Sequence, residues 1–140
     1  MTHEDYVTFE QGKALKDLGF DWECIFWYHP NEDDKTKRFK SCESNHNKFK
    51  RGISAPTQAV AAKWLREQKG YNIEVKPEGN TWGYIISEFN KDYKCYDLIF
   101  ITDDDDDFET YEEALSDALD LLLGLLKEAN KNKIYDSRDS

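Results

Sequence analysis

One hundred and forty residues, 39% hydrophobic and 14% aromatic, make a chain long enough to bury a core without disulfides or metals, and exclude disorder by composition. A formal net charge of −10 excludes a nucleic-acid binder that uses its whole surface, because phosphate binding needs a positive field. The three cysteines, Cys24, Cys42 and Cys95, fit no disulfide framework, and MTHEDYVTFE carries neither a basic nor an apolar leader region, so a reduced, cytoplasmic setting is expected.

The first predicted element is a helix over Thr8 to Leu18. Thr8 and Gln11 stand in the capping-box relation, Phe9, Ala14, Leu15 and Leu18 supply an apolar face, and Gly19 is the stop. Glu23 to His29, ECIFWYH, reads as a strand apolar on both faces, hence internal or covered on both sides.

Pro30 to Gly52 is polar and without sustained periodicity. It reads either as a mobile excursion, the favoured reading, or as a segment hiding a short hairpin around Phe39 and Phe49. Lys35 to Arg51 holds seven basic residues against one acidic; that net of +6 within −10 overall leaves −16 on the other 123 residues. Lys37, Arg38, Lys40, Lys48, Lys50 and Arg51, interleaved with Phe39 and Phe49, are candidates for binding a nucleotide or a single strand by charge and stacking. The alternative is a flexible loop kept soluble by its lysines.

Ser54 to Val75 is the organising stretch. Ser54 is the expected cap, Pro56 suits a first turn, Val60, Ala61, Trp64 and Leu65 form one stripe, and Gly70 ends the helix. Alternation then begins at Tyr71, Ile73 and Val75, the signature of a strand with one buried face. The turn signal Pro77 to Asn80 leads into a second strand, Thr81 to Phe89, as a hairpin, and Tyr93 to Thr102 is a third strand, apolar on both faces at its centre.

The aspartates Asp103, Asp104, Asp105, Asp106 and Asp107 lack the spacing and glycine of a calcium loop; they read as a solvated run or as an acidic patch for a partner. Thr110 to Asn130 is a long helix, with Glu113 in the capping-box relation to Thr110. From Leu119 it is apolar nearly all round, so Leu121, Leu123 and Leu125 are candidate partner contacts and Leu119 to Leu126 a candidate homodimer seam. That run, broken by Asp120, is too short to cross a bilayer. Residues 131–140 read as a frayed tail.

The expectation is one α+β domain over 1–130: a mainly antiparallel sheet of about four strands with three helices, in the order α-β-α-β-β-β-α, interrupted by the basic loop at 31–51. No nucleophile elbow, no phosphate-cradling glycine motif and no four-ligand zinc set stands in the sequence; Cys42 and His46 are one close pair without a second. No cofactor or metal is therefore expected, and Cys24 and Cys95 read as small packed hydrophobes.

The stretches ISAPTQAVAAKWLREQKGYNIEV, WGYII and TYEEALSDAL, with GKALKDLGF before them, resemble a group of small proteins of gut Bacteroidetes and their phages. The likeness spans most of the chain outside 31–51. It implies a bacterial or phage setting and supplies neither an activity nor site residues. A shorter likeness, ETYEEAL to a helix opening in HicB-type antitoxins, rests mostly on capping chemistry. The resulting expectation is a non-enzymatic interaction protein acting on a host or phage protein; the alternative is a binder of a small anionic ligand or single-stranded nucleic acid through the basic loop.

Overall fold

Thr8 starts the first helix, α1 (Phe9–Asp17), with both halves of the expected capping box. Its hydroxyl accepts from the Gln11 amide at 3.1 Å, and the Gln11 side-chain oxygen accepts from the Thr8 amide at 2.9 Å. The chain leaves the helix at Gly19, whose φ of +98° is open to glycine without strain. The computed structural model describes residues 5–103 and 107–138, with 131–138 described by their backbone only. These group into two compact units, Tyr6–Pro56 with the chain from Asp120 onward, and Asp5 with Thr57–Leu119.

In the first unit, strand β1 (Cys24–Tyr28) lies between β2 (Phe39–Ser44) and the short β3 (Ile53–Ser54), both antiparallel to it. The favoured reading of 31–51 as an excursion is therefore corrected. An internal strand needs backbone partners on both sides, and the FKSCES segment supplies one set. Of the alternative hairpin, Phe39 does open a strand, whereas Phe49 follows a single 3-10 turn, His46–Lys48. One face of β1 builds the core: Phe26 and Tyr28 pack with Phe9, Ile53 and Ala55. The Tyr28 hydroxyl donates to the Val7 carbonyl at 2.6 Å, and its ring meets Phe9 edge-on at 5.8 Å. Asn47 ties the 3-10 turn down, donating to the Phe20 carbonyl at 2.9 Å and accepting from the Ser54 amide at 2.8 Å.

In the second unit, helix α2 (Gln58–Trp64) is capped by Thr57, whose hydroxyl accepts from the Val60 amide at 3.2 Å. The expected cap, Ser54, is instead buried in β3. Past Trp64 the helix widens into a π turn, Leu65–Lys69, and ends at Gly70 in the left-handed conformation. Ala61, Trp64 and Leu65 of the expected stripe are buried. A meander follows: β4 (Tyr71–Glu78), β5 (Thr81–Asn90) and β6 (Cys95–Ile101), in that spatial order and antiparallel throughout. Tyr84 and Ile86 of β5 point inward and are fully buried.

The last helix, α3 (Tyr111–Arg138), starts at Thr110, whose hydroxyl accepts from the Glu113 amide at 3.1 Å. The Glu113 carboxylate turns to the Glu109 amide at 3.3 Å, so only half of the expected box forms. The helix continues beyond Asn130, where a frayed tail was expected. The α+β class is as expected. The strands differ from expectation in number and grouping: six among the described residues, in two three-stranded sheets, where about four in one sheet were expected.

Candidate functional site

The pleat of β5 sets the first surface. With Tyr84 and Ile86 committed to the core, Ile85, Ser87 and Phe89 fall on the opposite face. Across the ladder, Ile101 stands opposite Ile85, Leu98 opposite Ser87 and Tyr96 opposite Phe89, the last two rings 5.3 Å apart. A register shift beside Ser87 leaves Ile99 as the extra residue of a bulge. Leu98 is 62% exposed, Tyr96 49%, Ile101 45% and Phe89 40%, so these side chains make a contiguous apolar patch open to solvent. The β4 half of the same face is polar, with Asn72 opposite Ser87, Glu74 opposite Ile85 and Lys76 opposite Gly83. The patch thus hugs β6, an edge strand among the described residues.

Comparison of the chain with protein-family models, curated proteins and solved structures finds no match. Among the described residues no group of three or more His, Cys, Asp or Glu side chains is placed to hold a metal ion, and no helix is long and apolar enough to cross a membrane.

The residues singled out from the sequence separate in space. Strand alternation sends Arg38 and Lys40 away from Phe39: the Arg38 guanidinium lies 4.6 Å over the Tyr6 ring, and Lys40 stands opposite Phe26. Phe39 itself packs on Trp27 at 5.0 Å with Lys37 over its ring, and Lys48 lies over Phe49. Arg51 and Phe49 line a cleft together with Trp27, His29, Ser41, His46 and Gly52. Lys50 is exposed. Ser41 and Gly52 are the lining residues that sequence reasoning did not single out. His46 was weighed only as a zinc partner of Cys42, and the outward register of Trp27 and His29 was hidden by reading both faces of ECIFWYH as covered.

The candidate partner contacts differ in exposure. Asp103 and Asp107 are exposed, with Asp107 accepting from the Thr81 hydroxyl at 3.2 Å, whereas Asp104, Asp105 and Asp106 lie outside the described residues. Leu123 is buried with Leu119 and Leu122, which removes it as a partner contact; Leu121 is half-buried, and Leu125 is exposed.

The thiols divide as well. Cys24 donates to the Phe26 carbonyl, and burial pushes its thiol above the ordinary range. Cys95 is exposed at the start of β6, which corrects its reading as a packed hydrophobe; Cys42 is exposed too. Iodoacetamide at mildly alkaline pH is therefore expected to alkylate Cys42 and Cys95 rapidly and Cys24 only slowly. Peptide mass mapping over a time course checks this, and equal rates at all three thiols would contradict the placement of Cys24.

Proposed function

We propose that this chain is a non-enzymatic interaction protein, encoded by a bacterium or its phage, which acts in the cytoplasm by binding a protein partner. The observation that carries the reading is the exposed apolar patch of Phe89, Tyr96, Leu98 and Ile101 on the outer face of the second sheet. Burying such side chains against a partner removes apolar area from water at about 25 cal/mol per Å², so a compact patch supplies useful affinity. The four belong to paired strands and hold their positions before binding, which lowers the ordering cost of association. The acidic balance of the chain favours a partner with a basic rim, since complementary charge speeds encounter and rejects acidic surfaces. The sequence likeness to proteins of gut Bacteroidetes and their phages indicates where to look for that partner.

The test is cross-linking of tagged protein in an extract of a Bacteroidetes host, followed by reconstitution of the captured protein from purified components. The Leu98→Lys/Ile101→Lys double variant, with an unchanged far-ultraviolet circular dichroism spectrum, is expected to lose the captured protein and at least tenfold in reconstituted affinity. Equal affinity of wild type and variant would remove this face from the proposal.

A further inference from the structure

The cleft beside β1 is a second surface, built by the first unit alone. It encloses about 330 Å³, near the lower end of the range for small-molecule sites. Its floor is aromatic: the Trp27 ring stacks against His46 at 6.1 Å and 20°, and is braced by Phe39 at 5.0 Å and by His29 at 6.0 Å. His46 is fixed from behind, because its Nε2 donates to the Cys24 carbonyl at 2.8 Å. Phe49, on the rim, is 54% exposed and presents a ring for stacking.

Several of the polar groups are donors. The His29 Nδ1 accepts from the Asn31 amide at 3.0 Å, which places the proton of the neutral ring on Nε2, a donor. The Arg51 guanidinium adds further donors, and the Ser41 hydroxyl, which donates to the Cys42 carbonyl at 3.5 Å, adds a group that also accepts. Lys48, over the Phe49 ring, and Lys37, over the Phe39 ring, bring two more positive charges to the aromatic groups that build and brace the cleft. No Asp or Glu lines it.

A concave aromatic site whose lining includes donors and a cation, and no carboxylate, suits a flat ring carrying an anion. We propose that this cleft binds a nucleoside monophosphate, the base stacking on Phe49 and the phosphate meeting Arg51. Its volume suits one nucleotide. A single strand needs successive stacking platforms along a groove, and the cleft's lining offers Phe49 as its one exposed ring. This proposal does not depend on the protein-binding face, since it uses none of the same residues.

Isothermal titration calorimetry of the full chain tests it, with the four common nucleoside monophosphates, adenosine and inorganic phosphate as probes. At least one monophosphate is expected to bind more tightly than adenosine and than phosphate, because stacking and charge must act together. Arg51→Glu and Phe49→Ala are each expected to weaken that binding by about tenfold or more, since each removes one of its two principal contacts. Lys40→Glu makes the same charge change on the far face of β2 and is expected to leave affinity within about twofold at physiological salt. Phe49→Tyr keeps the ring and is expected to retain binding. Absence of binding by every monophosphate at millimolar concentration would overturn the proposal. So would equal losses in Arg51→Glu and Lys40→Glu, which would mean diffuse attraction, or phosphate binding as tightly as the nucleotides.

Discussion

Tyr84→Ala is expected to cost about 3–5 kcal/mol of folding free energy, the range for removing a large, fully buried aromatic ring. Tyr84 is among the largest fully buried side chains in the molecule, and its ring packs near Phe100 at 5.7 Å and Phe108 at 5.9 Å. Both partners come from beyond the β5 hairpin, so the loss would loosen β6 and the approach to α3 together. Native chains of this size have only about 5–15 kcal/mol in hand, so the variant would populate unfolded states measurably at 37 °C. Tyr84→Phe separates the ring from its hydroxyl, which donates to the Asp117 carboxylate at 2.7 Å. Asp117 is exposed, so that bond is partly replaced by water and its loss is expected to cost about 1 kcal/mol. Urea denaturation followed by circular dichroism measures both. A loss below that of Tyr84→Phe in the alanine variant would mean that the ring does not anchor this core.

The hairpin that carries this ring was readable from sequence, because Pro77 to Asn80 is a strong turn signal ahead of Thr81 to Phe89. What lies on the face opposite the ring was not. ECIFWYH and YKCYDLIFIT both show apolar residues at every position of their centres, and such a run has two physical explanations. Either the second face is covered by the same chain, or it is presented to something else. β1 is internal, as expected, yet Ile25 is 42% exposed and Trp27 only half-buried. β6 is an edge strand with Leu98 and Ile101 in water. Periodicity reports the chemistry of a face and not its neighbour, so both candidate surfaces were hidden in stretches that resembled core.

Caps were legible where geometry is local. Thr8 with Gln11 and Gly70 behave as read, because each acts within four residues. Ser54 against Thr57 was decided by tertiary pairing instead: Ser54 is taken by the ladder to Trp27, and the helix must begin after Pro56. β2 was missed because FKSCES has only one large apolar residue; it is a strand by pairing with β1 rather than by its own pattern. The basic residues were singled out as a set, yet the pleat divides them, keeping Lys37 with Phe39 and sending Arg38 and Lys40 elsewhere.

Gly52→Ala should damage the first unit more than any surface change in it. A Cβ at Gly52 would overlap the backbone carbonyl oxygen of His46, and its carbon would lie 3.3 Å away. Backbone cannot rotate aside as a side-chain tip can, so either the 3-10 turn or the entry to β3 must move. Both are pinned. The Gly52 amide donates to the Phe49 carbonyl at 3.1 Å, Lys16 donates to the carbonyls of Phe49 and Gly52 at 3.1 and 2.7 Å, and Asn47 joins the turn to Ser54. Forcing a methyl into such a site costs about 1–3 kcal/mol, and the rigidity here argues for the upper part of that range. Relief by displacing His46 would break its stacking on Trp27 and open the cleft wall. Gly52→Ala is therefore expected to lower the urea midpoint and also to weaken any nucleotide binding, whereas Gly19→Ala, with nothing within 4 Å of its Cβ, carries only the strain of its positive φ. Stability within 0.5 kcal/mol of wild type for Gly52→Ala would show that the turn yields freely, and the cleft could not then be a preformed site.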